Sequence, residues 1–354
     1  MIVVCDINEV WRRKPFAALA EQTDVLGVSP ADWLVARRRG FQSSDGVLEV
    51  LPIALPPGWG SKTAGLGQRM MWKKITGRCR SVEALVVTSP HYLPLLNLVP
   101  EDTKTIYYAS DDYRSYEGWG NMAELEKRIV ERADHSFFIS DALAERVRAE
   151  YAIDSARISV SMNATEKRFF PEVEESLPLD PPSGTFVRPI VGVVGGINDR
   201  LDFELLQACT ECPELGTLLL VGSLPNEPSV ALQKLLGHPK TVSVGAQPHE
   251  EIHQWFQGLD VGLIPYRKTE FNHFCSPMRL FDHLATGLPL VVTDACDQVR
   301  EFADYAVCCS DHETFIDALK KQLSENTSVV RPEEKKLTWE ARASALLSVI
   351  RNGS

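Results

Sequence analysis

The chain has 354 residues, 44% of them hydrophobic and 24% charged, which predicts two folded globular domains of ordinary size. It has no apolar run of about 18 residues that could span a bilayer. Its 37 Lys and Arg against 48 Asp and Glu give a formal charge of -11, which excludes a general nucleic-acid binder, because phosphate recognition needs surplus positive charge. The acid is unevenly spread: residues 1–80 hold 12 basic and 7 acidic side chains, a local +5, so the other 274 residues carry -16.

In chain order, short apolar runs at 2–5, 25–28, 47–53, 85–88, 105–109, 135–139 and 158–160 alternate with helical patterns such as 122–133 and 142–151. The alternation restarts at 190–194 and continues through 217–221, 241–244, 261–264, 288–292 and 306–308. Repeated βα units of this kind predict doubly wound, Rossmann-like parallel sheets. Between the two series, residues 170–184 hold four prolines, four acids and a glycine, which neither a helix nor a central strand accepts. The expected division is therefore a first domain over 1–170, a linker over 171–187, a second domain over 188–330 and a terminal helical segment over 331–354. Two such domains joined by a hinge would leave a cleft at the carboxyl ends of their strands, where these sheets bind ligands.

The eight cysteines suggest no disulfide framework. Cys209 and Cys212 form one CxxC without a second pair at zinc spacing, so no metal site is expected. The Met-Ile-Val-Val-Cys start lacks a basic and apolar leader pattern, and with free thiols it predicts a reducing, cytoplasmic compartment.

Two motifs can carry chemistry in the second half. The run from Ile190 to Leu206 reads as a buried strand, a Gly195-Gly196 turn and a helix capped by Asn198 or Asp199; its amides would attract an anion, with Arg200 close by. The spacing is not that of a dinucleotide fingerprint. In the second motif Ser276 suits an N-cap, Pro277 and Met278 the first helical positions, and Gly287 the exit. Arg279 then stands where a capping box would place Glu or Gln, a cation at the positive end of the helix dipole. A bound anion would reverse that cost. Arg279, Asp282 and Thr286 share one helix face at i, i+3 and i+7, which fits a phosphate on Arg279 and a sugar hydroxyl on Asp282, or alternatively a plain Arg279–Asp282 ion pair.

Residues 244–256, 259–267, 276–282 and 285–289, taken together, resemble the nucleotide-sugar half of GT-B glycosyltransferases, particularly the "group 1" bacterial enzymes that build polysaccharides. The resemblance covers residues 190–300 best and the first half more loosely, through residues 107–112 and the loop 6–14. It implies a GT-B architecture and transfer of a sugar from a UDP- or GDP-type donor to a glycan or lipid-linked acceptor. It implies a phosphate-facing turn at Gly195 and Gly196, and a diphosphate-binding helix start at Ser276, Pro277, Met278 and Arg279. A ribose carboxylate would fall at Asp282, shortened from the usual glutamate; the base-contacting loop would run from Val244 to His249, Gln247 included, and Tyr266 would belong to the donor-binding residues. One departure matters: many retaining members carry a glutamate where this chain has Phe274. Retaining and inverting outcomes therefore both stay open, as does a non-catalytic nucleotide-binding scaffold. A nucleotide-sugar epimerase uses the same architecture but finds a weaker match in the first half.

Inverting transfer needs a base for the acceptor hydroxyl. Asp111 and Asp112 follow an apolar strand, His91 follows another in Ser-Pro-His-Tyr, and Asp6 follows the first. Leaving-group charge would fall to Arg279, Arg200 and the helix starts, with no metal required. Residues 61–80 mix six basic side chains with Met70, Met71, Trp72 and Ile75, and residues 11–14 and 37–39 add charge. This suits an anionic membrane surface at the cytoplasmic face, although Gly65, Gly67 and Gly77 weaken a continuous helix, or alternatively a solvated helix over the core.

Overall fold

The computed structural model describes residues 1–39, 46–59, 64–116, 121–172, 178–325 and 330–352. The chain divides into two compact units, residues 1–162 with 339–354, and residues 163–338. The division falls between Met162 and Asn163, ahead of the expected linker, because the chain is already tied into the second unit there. The Asn163 amide donates to Ser276 Oγ at 2.9 Å, and Thr165 Oγ1 donates to Asp282 at 2.6 Å. Residues 173–177 of the expected linker lie outside the described residues.

Unit 1 is a seven-stranded parallel sheet in the order β3-β2-β1-β4-β5-β6-β7. Its strands are β1 (Ile2–Cys5), β2 (Val25–Asp32), β3 (Glu49–Leu55), β4 (Ala84–Val87), β5 (Lys104–Ala109), β6 (His135–Phe138) and β7 (Ile158–Val160). Every residue of β1, β4 and β6 is buried, as expected for strands covered on both faces, and β1 and β4 accordingly read as unbroken apolar runs, while β6 also buries His135 and Ser136. The helices are α1 (Val10–Ala20), α2 (Trp33–Arg39), α3 (Ala64–Arg78), α4 (Leu93–Leu96), α5 (Met122–Arg132) and α6 (Asp141–Tyr151). Asn121 caps α5 and Ser140 caps α6 through their side-chain oxygens. Gly65, Gly67 and Gly77 all lie inside α3, which runs unbroken as one helix. Gly67 is needed there, since a Cβ at that position would lie 2.7 Å from Trp59 Cβ.

Unit 2 is a six-stranded parallel sheet in the order β10-β9-β8-β11-β12-β13. Its strands are β8 (Ile190–Val194), β9 (Thr217–Val221), β10 (Thr241–Gly245), β11 (Val261–Ile264), β12 (Leu290–Thr293) and β13 (Val307–Cys309). Its helices are α7 (Phe203–Thr210), α8 (Val230–Leu236), α9 (Ile252–Gln257), α10 (Glu270–Phe274), α11 (Met278–Thr286) and α12 (His312–Ser324). Asp202 caps α7 by accepting from the Leu205 amide, so the helix begins later than a cap at Asn198 or Asp199 would allow. Gly287 ends α11 in the left-handed region, with φ 72°.

The last helix, α13 (Trp339–Asn352), belongs to unit 1 rather than to a separate terminal segment. Gln22 Nε2 donates to the Glu340 carbonyl at 3.0 Å, and Arg351 Nη2 donates to Thr23 Oγ1 at 3.0 Å. Trp339, Ala343, Leu346 and Ile350, spaced at helical intervals, form its buried stripe. Among the described residues no helix is long and apolar enough to cross a membrane. All eight cysteines are free thiols, and no group of three or more His, Cys, Asp or Glu side chains among the described residues is placed to hold a metal ion.

Candidate functional site

In unit 2 the strand order reverses between β8 and β11, so the crevice that open α/β sheets use for ligands lies at their carboxyl ends. Three glycines with positive φ line up at the neighbouring strand ends: Gly195 (111°), Gly222 (152°) and Gly245 (70°). Gly195 N donates to Val221 O and Gly222 N to Gly245 O, each at 2.8 Å. A Cβ on Gly222 would sit 1.9 Å from the Gly195 carbonyl oxygen, so any side chain there would push the two turns apart. The result is a ledge of bare backbone that a ligand can approach closely. Gly195 and Gly196 are legible in the sequence as part of it; Gly222 is not, because its role depends on a neighbour one strand away.

Arg279 stands over this ledge from the second position of α11. Its Nη2 donates to the Gly196 carbonyl at 2.8 Å, while its Nη1 is buried with no hydrogen-bond partner among the described residues. Pro277 occupies the N-cap and no side chain caps the helix. Ser276 does not serve as the cap expected from sequence: its hydroxyl accepts from the Asn163 amide and its carbonyl from Asn163 Nδ2 at 2.6 Å. The start of α11 therefore combines amides without a side-chain cap, the positive end of the dipole and an unsatisfied guanidinium N–H.

A second guanidinium lies close by. Arg200 packs 4.7 Å from the Tyr266 ring centroid and 4.8 Å from that of Phe271, and Arg279 lies 5.5 Å from the same Tyr266 ring. Each such contact contributes about 0.5–2 kcal/mol, more where water is excluded, and Tyr266 is buried. Asn272 Oδ1 accepts from Arg200 Nε at 2.8 Å, and Cys275 Sγ lies 3.0 Å from its Nη2. One buried ring thus holds two cations at the strand-order reversal. Burial raises the Tyr266 phenol above its ordinary pKa even against the two nearby guanidinium groups, so the ring stays neutral.

Asp282 is half-buried one turn along α11, and Thr165 Oγ1 donates to its Oδ1. The expected polar edge stops there: Thr286 is fully buried and its hydroxyl turns back to the His283 carbonyl at 2.7 Å. Gln247 folds onto its own loop, with Nε2 donating to the Val244 carbonyl at 2.7 Å.

In unit 1 the strand order reverses between β1 and β4. Asp6, directly after β1, has φ 72°, a strained conformation for a residue other than glycine. Its Oδ2 accepts from Arg12 Nη1 at 2.7 Å, and both side chains are mostly buried. Thr88, directly after β4, holds the turn by donating to the Cys5 and Asp6 carbonyls. His91 lies in the following 3-10 turn, Pro90–Tyr92, where Ser89 Oγ accepts from the His91 amide and sits 3.1 Å from Nδ1. Burial pushes the His91 imidazole below its ordinary pKa, with Asp6 opposing and Arg12 reinforcing the shift.

The adjacent acids have separate environments. Asp112 is buried and grips Arg146, with Oδ1 to Nη2 at 2.6 Å and Oδ2 to Nη1 at 3.3 Å. It also accepts from Ser115 Oγ and caps the turn Tyr113–Ser115. Asp111 is half-buried and accepts from the Tyr116 hydroxyl at 2.6 Å. Gly118 and Trp119 of the same loop lie outside the described residues.

Residues 188–325 match the model of the family described as "Glycosyl transferases group 1". A putative teichuronic acid biosynthesis glycosyltransferase, TuaH of Bacillus subtilis (strain 168), is 27% identical over 251 residues, 66% of this chain and 62% of that protein, so the match spans less than two thirds of the relative. Sucrose-phosphate synthase from Thermosynechococcus elongatus superposes with TM-score 0.71 at 14% identity, covering 99% of this chain and 98% of the other. Anabaena HepE in complex with UDP superposes with TM-score 0.67 at 11% identity, covering 98% and 95%. Residues 188–325 are accordingly a group 1 glycosyltransferase domain, and the two parallel-sheet units that the chain builds have the GT-B fold.

Proposed function

We propose that the chain transfers a glycosyl group from a nucleoside-diphosphate sugar, UDP- or GDP-type, to a glycan or lipid-linked acceptor in polysaccharide synthesis at the cytoplasmic side of a membrane. The observation that carries this reading is the unsatisfied Arg279 Nη1 at the uncapped start of α11, above the bare backbone of Gly195 and Gly196. A buried donor left without an acceptor costs about 1–3 kcal/mol, and a diphosphate bridging Arg279 and the helix amides would remove that cost. Arg200 supplies a second cation, so the charge on the departing diphosphate is met by these groups without a metal. Asp282, oriented by Thr165, receives a ribose hydroxyl, and the Gln247 loop borders the base. The similar fold of HepE, which is in complex with UDP, supports a uridine nucleotide among the donor types.

For the acceptor proton, Asp112 is the poorest of the three candidates, because its oxygens are committed to Arg146, Ser115 and the turn amide. Asp111 and His91 remain, and in this reading one of them takes the proton as the hydroxyl attacks. Phe274, where retaining relatives carry a glutamate, favours a second reading as a nucleotide-binding subunit without transfer. Nucleotide release from a panel of UDP- and GDP-sugars, with glycan and lipid-linked acceptors, separates the two. Acceptor-dependent release supports transfer; nucleotide binding without release across the panel assigns the chain to the second reading.

A further inference from the structure

We propose that the β2/β3 edge of unit 1 docks on an anionic membrane surface, with α2 as the element that enters the headgroup layer. Among the described residues, five large apolar side chains of unit 1 are exposed: Trp33, Leu34, Val35, Val47 and Leu66. All fall between residues 33 and 66, and the first three are consecutive, with 50%, 62% and 46% of their surface open. Trp33 begins α2 immediately after Asp32, which pairs with Leu55 at the end of β3. Both α2 and the loop leading into α3 therefore leave from the carboxyl ends of the two outermost strands. On α3, Leu66, Arg69 and Lys73 are exposed at i, i+3 and i+7, one face of the helix.

The charge selects the occupant. Residues 33–80 hold nine Lys and Arg against two Asp and Glu, a local +7 in a chain of -11, so the remainder carries -18. Arg37 and Arg38 are exposed directly behind the apolar triplet. A tryptophan and aliphatic tip backed by arginines suits the interface of an anionic bilayer: the rings and methyls enter the headgroup boundary while the guanidinium groups meet lipid phosphates. Water leaves three neighbouring apolar side chains at once, and the arginine stems can follow them while the charge stays at phosphate level.

Vesicle co-sedimentation of the full chain tests this, using phosphatidylcholine alone and phosphatidylcholine mixed with phosphatidylglycerol. The wild type is expected to pellet only with the mixed vesicles, and less as salt is raised. Replacing Trp33 and Leu34 together by serine should weaken binding about ten-fold or more. Arg37→Ala and Arg38→Ala should each weaken it about five-fold. Val230→Ser, an 83% exposed position of unit 2, should leave it unchanged. Unaltered nucleotide-induced thermal stabilisation in the variants shows that they are folded, and separates this surface from the nucleotide site. Equal pelleting with both vesicle types, no pelleting with either, or wild-type binding by the serine double variant would overturn the proposal; an acidic protein partner would then be the occupant to seek.

Discussion

Arg279→Ala removes the guanidinium that links the Gly195–Gly196 turn to the start of α11. In the free protein the loss is small: one hydrogen bond to the Gly196 carbonyl and one cation–π contact with Tyr266, together about 1–3 kcal/mol, are offset by removal of the unsatisfied Nη1 donor. With a nucleoside diphosphate bound the loss is larger, because a charge-assisted contact to phosphate contributes about 1.5–3 kcal/mol, a ten- to hundred-fold change in Kd. Calorimetric titration of wild type and variant with UDP and with uridine isolates that part. The variant should lose affinity for the diphosphate and keep whatever affinity the nucleoside has. Arg279→Lys should recover only part of the loss, because a point charge cannot hold the Gly196 carbonyl and a phosphate in one planar fork. Unchanged UDP affinity in Arg279→Ala, or an equal loss for uridine, would refute the phosphate role.

The Tyr266 ring holds both Arg200 and Arg279, so Tyr266→Phe should bind UDP within about two-fold of wild type, while Tyr266→Leu should weaken it about ten-fold; equal affinities in the two variants would dismiss the ring as their support. Asp112→Asn should lower Tm through loss of a buried ion pair, a cost of about 3–5 kcal/mol, whereas Asp111→Asn and His91→Ala should keep Tm and UDP affinity and one of them should abolish transfer. Full transfer in both would remove these residues from proton transfer. His283 is buried against Phe256, and burial reinforced by Arg279 holds its pKa down to about 3. The unfolded chain therefore takes up this proton first as pH falls below about 6.5, and wild type should lose about 1.4 kcal/mol per pH unit relative to His283→Phe down to about pH 4. Parallel stability curves for the two proteins would contradict a buried neutral imidazole.

Most strands were legible because parallel strands buried on both faces carry continuous apolar runs, as in Ile190–Val194 and Ala84–Val87. The start of α11 was legible to within one residue, through Pro277 and the left-handed Gly287. What escaped the sequence depended on partners far along the chain. Ser276 reads as a cap by local rules, yet Asn163, 113 residues earlier, takes its hydroxyl. Gly222 reads as an ordinary turn glycine until Gly195 is seen against it. The terminal helix joins unit 1 through contacts with residues more than 300 positions away. The uneven charge was plain from composition, but not that Trp33, Leu34 and Val35 stand exposed beside the arginines, since β-strand and helix residues of that kind are usually buried.

The central claim is that the bare turn, the uncapped α11 and the paired arginines form a diphosphate site. Thermal unfolding of the wild type across UDP, GDP, their sugar conjugates and the corresponding nucleosides tests it most directly. A matching diphosphate at about 100 times its Kd should add about 2.7 kcal/mol and raise Tm, while the nucleoside lacking phosphates should raise it little. An unmoved Tm with every diphosphate and every nucleotide sugar would contradict the account.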